Sequence, residues 1–364
     1  MFFENTECVS CRHQLAYVPD LGVVGSLDAV DDGTWQSPLP RAKGRRYRLC
    51  RNYAEAQVCN WTVSADDPNP LCTSCRLTRV VHDTSTDAAR LAWYRLEVAK
   101  RRLVFTLLSV GLPVCTHLED PDAGLAFEFK ADAPDGSAPV LTGHANGIIT
   151  INVAEADDAE RERRRHGVHE PYRTLLGHVR HESGHYYWDR LIRNGPLLER
   201  FRVLFGDERA DYGEALQAHY ATGAPPDWQE RFVSAYASAH PWEDWAETWA
   251  HYLHMIDTLE TAAACGLALR PPRAGEPSLD AVPGAVGDAG VGFDRMIEHW
   301  FPVTYLLNNL NRGLGLADAY PFVLAPPAIE KLRFVHDVVW RRECWPTAVG
   351  RVSPEAPPPG PATV

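Results

Sequence analysis

The sequence predicts a helix-rich α+β protein in two parts. A small cysteine-rich region stapled by zinc comes first, and a larger domain with a metal-binding helix and a small, edge-exposed sheet follows. Three observations predict this. Six of the nine cysteines fall in the first 75 residues, four of them as two C-x-x-C pairs. Residues 86–109 form one long run at helical spacing, followed by short alternating segments. An H-E-x-x-H motif at His181–His185 is followed downstream by an aromatic-rich segment carrying Glu243 and Glu247.

Length and composition set the class. A chain of 364 residues holds one large or two smaller domains. Hydrophobic content of 45% with 10% aromatics implies a folded chain with a sizeable core. No stretch approaches the 18 uncharged apolar residues of a membrane span, so no membrane partner is expected. The opening MFFENTECVSC lacks the basic-then-apolar layout of a secretory leader, which makes a cytoplasmic location the expectation. A net charge of −12 argues against nucleic acid as the main partner.

In a cytoplasmic chain, clustered cysteines point to metal rather than disulfides. Cys8-x-x-Cys11 and Cys72-x-x-Cys75 have the spacing at which a tight turn brings two thiolates to one ion, and Cys50 and Cys59 lie between them. Cys50, Cys59, Cys72 and Cys75 can complete one structural zinc site, leaving Cys8 and Cys11 as a partial site with His13 as one further donor. The opposite pairing joins the two C-x-x-C pairs and orphans Cys50 and Cys59. Spacing leaves both open. Cys115, Cys265 and Cys344 are scattered singles and read as incidental thiols. The region is rich in Pro and Gly, with little core of its own, so zinc would be its staple. The basic run from Arg41 to Arg51 reads as a solvated face.

Thr86 to Ser109 is expected to be one helix with Leu91, Tyr94, Val98, Arg101 and Phe105 on its core face, stopped by Gly111 and Pro113. Segments 125–131 and 147–156 read as strands. In the second, Ile149, Ile151 and Val153 alternate with Thr150 and Asn152. If that strand lies at a sheet edge, a peptide can add to it. Residues 154–165 are dense in charge and read as an exposed helix or loop.

On a helix, His181 and His185 are one turn apart and project from one face, so both imidazoles can ligate one zinc. Glu182 is then placed to act as general base on a water molecule. Pro171 falls at the first turn of this helix and Gly195 just past its end. His178 shares the face as a rival ligand. Asp189, one turn after His185, is placed either to support the site from behind or to sit at the surface. A metzincin continuation is excluded, because Trp188 stands where that pattern has Gly and Leu191 where it has His. The third ligand then comes from a separate helix within residues 234–262. Glu243 and Glu247 share a face there, extended by His251, and carboxylates among Trp242, Trp245 and Trp249 call for a cation. Spacing alone does not separate the two glutamates.

These segments resemble a bacterial family of zinc-binding metallopeptidases that couples an N-terminal zinc ribbon to a gluzincin-like domain. The likeness is carried by NPLCTSCRLTR, WYRLEVAKRRLV, TGHANGIITINVAEADDAERE, EPYRTLLGHVRHESGHYYWDRLI, LFGDERADY and FVSAYASAHPWEDWAETWAHYLHMIDTLETA, and covers most of residues 1–265. Members usually carry a further cysteine pair upstream of FFEN. This chain begins at that point, so the resemblance implies that half of a zinc site at Cys8 and Cys11 is missing, through truncation or start-site choice. The stretch from Glu243 to Trp249 is also similar to the ligand-bearing helix of the gluzincin domain in anthrax lethal factor. That likeness implies Glu243 as third zinc ligand, Glu247 one turn behind it, and Tyr236 as a hydrogen-bond donor to the oxyanion.

The expected layout is a zinc-ribbon-like domain at 1–85, a gluzincin-like metallopeptidase domain at 86–265, a flexible linker at 266–290, a helical segment packing on the catalytic domain at 291–345, and a disordered tail at 346–364. The expected function is peptide-bond hydrolysis, with one catalytic and one structural zinc and a peptide or protein substrate. A rival expectation is a catalytically inactive protein that recruits a partner through its zinc ribbon. A third makes both metals structural, with His178 or His251 closing the second site.

Overall fold

The computed structural model describes residues 3–30, 32–133, 135, 137, 139–161, 174–280 and 292–346. Pro171, the end of the charged 154–165 segment, the later part of the 266–290 linker and nearly all of the 346–364 tail lie outside the described residues. The chain divides into two compact units. Among the described residues, one comprises those up to 105 with 114–161 and 174–179, and the other comprises 106–113 and those from 180 onward.

The first unit holds two sheets. Strands β1 (Gln14–Val18), β2 (Val23–Ala29), β3 (Trp35–Gln36), β4 (Tyr47–Leu49) and β5 (Thr62–Ser64) pair in sequence order, each antiparallel to the next. A single helical turn, α1 (Arg51–Ala54), follows β4. The second sheet has the order β6 (Thr78–Val80), β7 (Ala126–Lys130), β9 (Ile148–Asn152), β8 (Gly143–Ala145). Its β6–β7 and β7–β9 pairs are parallel and β8–β9 is an antiparallel hairpin. The hairpin turns on Asn146 and Gly147, with φ of 50° and 81°, the left-handed pair that an Asn-Gly turn supplies. The strand expected at 147–156 therefore lies inside its sheet, and β6 and β8 form the edges. It is also shorter than expected. The Asn152 side chain accepts from Ala154 N at 2.9 Å and caps a 3-10 turn at Val153–Ala156, which ends the strand.

The long helix α2 (Asp87–Ser109) forms as expected; of its expected core face Arg101 is buried, Tyr94, Val98 and Phe105 are half-buried, and Leu91 faces out. Leu96, Leu103, Val104 and Leu107 are fully buried, whereas Leu91 is 49% exposed. The buried face also carries Glu97 and Lys100, ion-paired at 2.7 Å with no exposed side-chain surface. Apolar spacing does not reveal a charge pair buried on such a face.

The second unit is helical. It contains most of α3 (Leu175–Leu191), then α4 (Leu198–Phe205), α5 (Tyr212–Thr222), α6 (Pro241–Ala264), α7 (Phe293–Gly313) and α8 (Pro326–Trp340). Helix α6 is its centre. Trp245, Trp249, Tyr252, Leu253 and Met255 are fully buried, and α6 packs on α4, α7 and α8. Asp244 and Lys331 join α6 to α8 through a buried ion pair at 2.6 Å. Within 266–280, Leu269 and Leu279 form an antiparallel bridge and Leu279 is buried, so this part of the expected linker is ordered. No helix among the described residues is long and apolar enough to cross a membrane.

Candidate metal centres

Cys50, Cys59, Cys72 and Cys75 come together with all four sulfurs within 4.8 Å of one another. Each is 0–2% exposed. Backbone N–H groups point at the sulfurs: Cys72 N donates to Cys50 Sγ at 3.3 Å and Trp61 N to Cys59 Sγ at 3.4 Å. Burial pushes the Cys59 and Cys72 thiols up, because it disfavours thiolate charge that nothing offsets; a bound cation would supply that offset. A four-thiolate tetrahedron around zinc fits them. The structure thus selects the first of the two pairings that spacing left open. Cys8 is half-buried and Cys11 exposed; among the described residues, neither joins a group of three or more metal-binding side chains.

The second centre is built by α3 and α6. His181 and His185 stand one turn apart on α3 with ring centroids 5.0 Å apart. Helix α6 starts at the His240-Pro241 junction, where the His240 ring accepts from Trp242 N at 3.1 Å and Pro241 occupies the first turn. Glu243 and Asp244 lie in that first turn, where the helix dipole favours negative charge. The two middle residues of the H-E-x-x-H motif dock the helices. Trp245 Nε1 donates to Gly184 O at 2.8 Å and Trp249 Nε1 to Ser183 Oγ at 3.1 Å. A side chain at Gly184 would place its Cβ 2.9 Å from Ala246 Cα, so only glycine permits this approach.

His181, His185 and Glu243 bring their ligand atoms within 4.8 Å of one another. His181 Nε2 lies 3.0 Å from Glu243 Oε2, and His185 Nε2 lies 3.5 Å from Glu243 Oε1. On the other side of the ring, His181 Nδ1 is 2.6 Å from Glu247 Oε1, and Ser234 Oγ donates to Glu247 Oε2 at 2.6 Å. Nδ1 must therefore carry a proton, which in the neutral ring leaves the Nε2 lone pair facing a carboxylate oxygen. Glu243 Oε2 is buried and accepts no properly aligned hydrogen bond from the described residues. A cation between these groups removes the conflict, and this donor set fits zinc.

The charges agree. Burial would lower the His181 pKa, but Glu243 and Glu247 raise it well above the usual imidazole range. Burial would raise Glu243, but the charge of His185 and the nearby His181 imidazole hold it down at about 2. Glu243 and Glu247 are thus ionised, with the proton held on His181 as their counter-charge, a role that a metal cation would take over.

The other expected site residues are placed as follows. Glu182 is 5% exposed on α3 between the two histidines. Tyr236, in a 3-10 turn before α6, has its ring 6.0 Å from that of His181, and burial raises its hydroxyl pKa. Asp189 pairs with Arg193 at 2.8 Å, an i,i+4 pair along α3. The rival His178 is held by Glu155 at 2.5 Å. His251 bonds the Tyr320 hydroxyl at 2.7 Å and is pushed down to about 4 by burial. Neither belongs to the three-residue group. Two contributors escaped the sequence reading. Ser234 orients Glu247, and the Tyr212 hydroxyl donates to Glu243 Oε1 at 2.7 Å. Both lie outside the motif helices, and their only signal was membership of the segments LFGDERADY and FVSAYASAHPWE.

Residues 89–338 match the sequence profile of a family described as "Putative zinc-binding metallo-peptidase", and residues 1–86 match that of a zinc-ribbon domain. Uncharacterised proteins of Mycobacterium bovis and of two Mycobacterium tuberculosis strains are 46% identical over 339 residues, covering 93% of this chain and 91% of each relative. No solved structure matches the chain. A family match over most of the chain, a His-His-Glu donor set and a four-cysteine cluster lead to one assignment: the chain belongs to the zinc-binding metallopeptidase family, with a zinc-ribbon domain at its N-terminus.

Proposed function

We propose that this chain is a gluzincin-type peptidase that hydrolyses peptide bonds with water. His181, His185 and Glu243 would hold the catalytic zinc, and the four-cysteine cluster a structural one. The carrying observation is the orientation of His181. Its Nδ1 is fixed by Glu247 at 2.6 Å, so Nε2 is presented to the same space as His185 and Glu243. When bound, zinc supplies Lewis acidity toward the scissile carbonyl and makes water nucleophilic near neutral pH.

The chain's own residues do the rest. Glu182 takes a proton from the attacking water as the C–O bond forms, and delivers it to the amine as the C–N bond breaks. Tyr236, whose ring lies 6.0 Å from that of His181, would donate to the developing oxyanion, a contribution of a few kcal/mol in comparable sites. Glu247 and Ser234 keep His181 in the required tautomer. The substrate class is peptide or protein.

The test is cleavage of an unbiased peptide library by zinc-loaded protein beside Glu182→Gln. The variant should keep its zinc and lose turnover by about 10²–10⁴-fold. Full cleavage by the variant would remove Glu182 from the mechanism. No cleavage by either protein would favour the rival role, partner recruitment through the ribbon without catalysis.

A further inference from the structure

Helix α5 is the least anchored element beside the metal centre. No residue from 209 to 232 is buried, α5 included. An 11-residue helix without a buried face is marginal on its own. What holds it is a short set of contacts at the site. The Tyr212 hydroxyl donates to Glu243 Oε1 at 2.7 Å, and the Tyr212 ring lies against His240 and Trp242 at 5.2 and 5.9 Å. The His219 ring sits 5.8 Å from that of Tyr236. The segment is bounded by Gly206 and Gly223, with φ of 105° and 75°, a region that side chains other than glycine rarely adopt. Such a segment opens locally at low cost.

Tyr212 matters because of what it touches. The terminal torsion of a glutamate is broad and roughly two-fold, so the Glu243 carboxylate needs a fixed donor to keep one oxygen aimed at the histidines. Tyr212 is that donor, and it rides on the loosely held helix.

We propose that Tyr212 is a positioning residue for the metal centre carried on a lid, so that holding zinc and closing α5 are one coupled event. The inference rests on the reading of His181, His185 and Glu243 as a zinc site. By linkage, zinc then orders α5 as much as α5 tightens zinc.

Tyr212→Phe removes one hydroxyl and leaves the ring packing in place. In full-length protein titrated with zinc against a competing chelator, the variant should bind the zinc that His181→Ala abolishes about 10–100-fold more weakly. Hydrogen exchange should show zinc protecting residues 212–222 in the unsubstituted protein and failing to do so in Tyr212→Phe. A merely structural tyrosine would lower protection equally with and without zinc, and leave zinc affinity unchanged. That result overturns the proposal while the site reading stands. If His181→Ala instead keeps its full zinc content, the site reading itself fails.

Discussion

The two candidate metal centres are built on opposite plans. Four cysteines, from the end of β4, the approach to β5 and the 3-10 turn before β6, enclose a point from all sides, each 0–2% exposed. Four thiolates complete a tetrahedron and leave no position for a substrate. The helix centre offers three donors from two helices, and His185 keeps 17% of its side-chain surface exposed. Its effort goes into orientation: Glu247 behind His181, Ser234 behind Glu247, Tyr212 on Glu243. A site that only holds a metal needs donors, whereas one that uses a metal needs its donors aimed.

Removing a cysteine should break this contrast most visibly. The first sheet has short strands, and β3 spans only Trp35–Gln36. Structural zinc contributes on the order of 10 kcal/mol to such small domains. Cys72→Ser is expected to strip hydrogen-exchange protection from β1–β5, whereas His181→Ala should leave the protection of α6 largely intact. Equal losses in both variants would mean that the helix centre is as structural as the cysteine one.

A smaller effect sharpens the point about aiming. Glu247→Ala leaves every zinc donor in place but takes away the acceptor that fixes the His181 ring. Zinc affinity at that centre should fall by about 10–100-fold in chelator competition, with zinc at the cysteines unchanged. Unchanged affinity would show that α3 alone orients the histidine.

How much of this was legible follows the same division. The H-E-x-x-H histidines follow from local helical geometry, which a five-residue motif encodes. Spacing did not separate Glu243 from Glu247, because one helical turn leaves both on the same face, and the choice of Glu243 came from the resemblance; the packing of α6 on α3 puts the first against both Nε2 atoms and the second against Nδ1. The cysteine pairing was open for a similar reason: β4–β5 pairing sets Cys50 beside Cys59, and a loop tied back by Arg51 N donating to Pro70 O carries Cys72 and Cys75 to them, which spacing does not show. On α2 the expected face took in the exposed Leu91 and left out Glu97 and Lys100, which are buried because they satisfy each other, and no apolar pattern reveals that. Tyr212 and Ser234 act from outside the two motif helices, where nothing in spacing marks them.

The docking of the two helices offers a third test, in stability. Gly184→Ala inserts a Cβ 2.9 Å from Ala246 Cα and 3.2 Å from Trp249 Cβ, so a backbone must shift. The expected cost is about 1–3 kcal/mol, read as a lower urea midpoint, with a weakened second zinc because Glu243 moves with α6. A neutral substitution would mean that the helices are less tightly apposed than the Trp245 and Trp249 hydrogen bonds require.

Acid should separate the two regions more gently. On the helix side, burial pushes His251 down to about 4; Glu247 opposes the shift and Arg180 adds to it. His336 is lowered to about 4 and His254 to about 3, burial again the main cause. An unfolded chain carries these groups near 6.5 and so binds more protons than the folded one between pH 6.5 and 4. Stability from keeping them neutral is therefore complete above 6.5 and lost as pH falls toward 4. For His251 the loss should be about 1–3 kcal/mol. His251→Gln, which can still bond the Tyr320 hydroxyl, should flatten the slope of urea midpoint against pH even if it lowers stability at neutral pH. An unchanged slope would place the acid sensitivity at the other histidines.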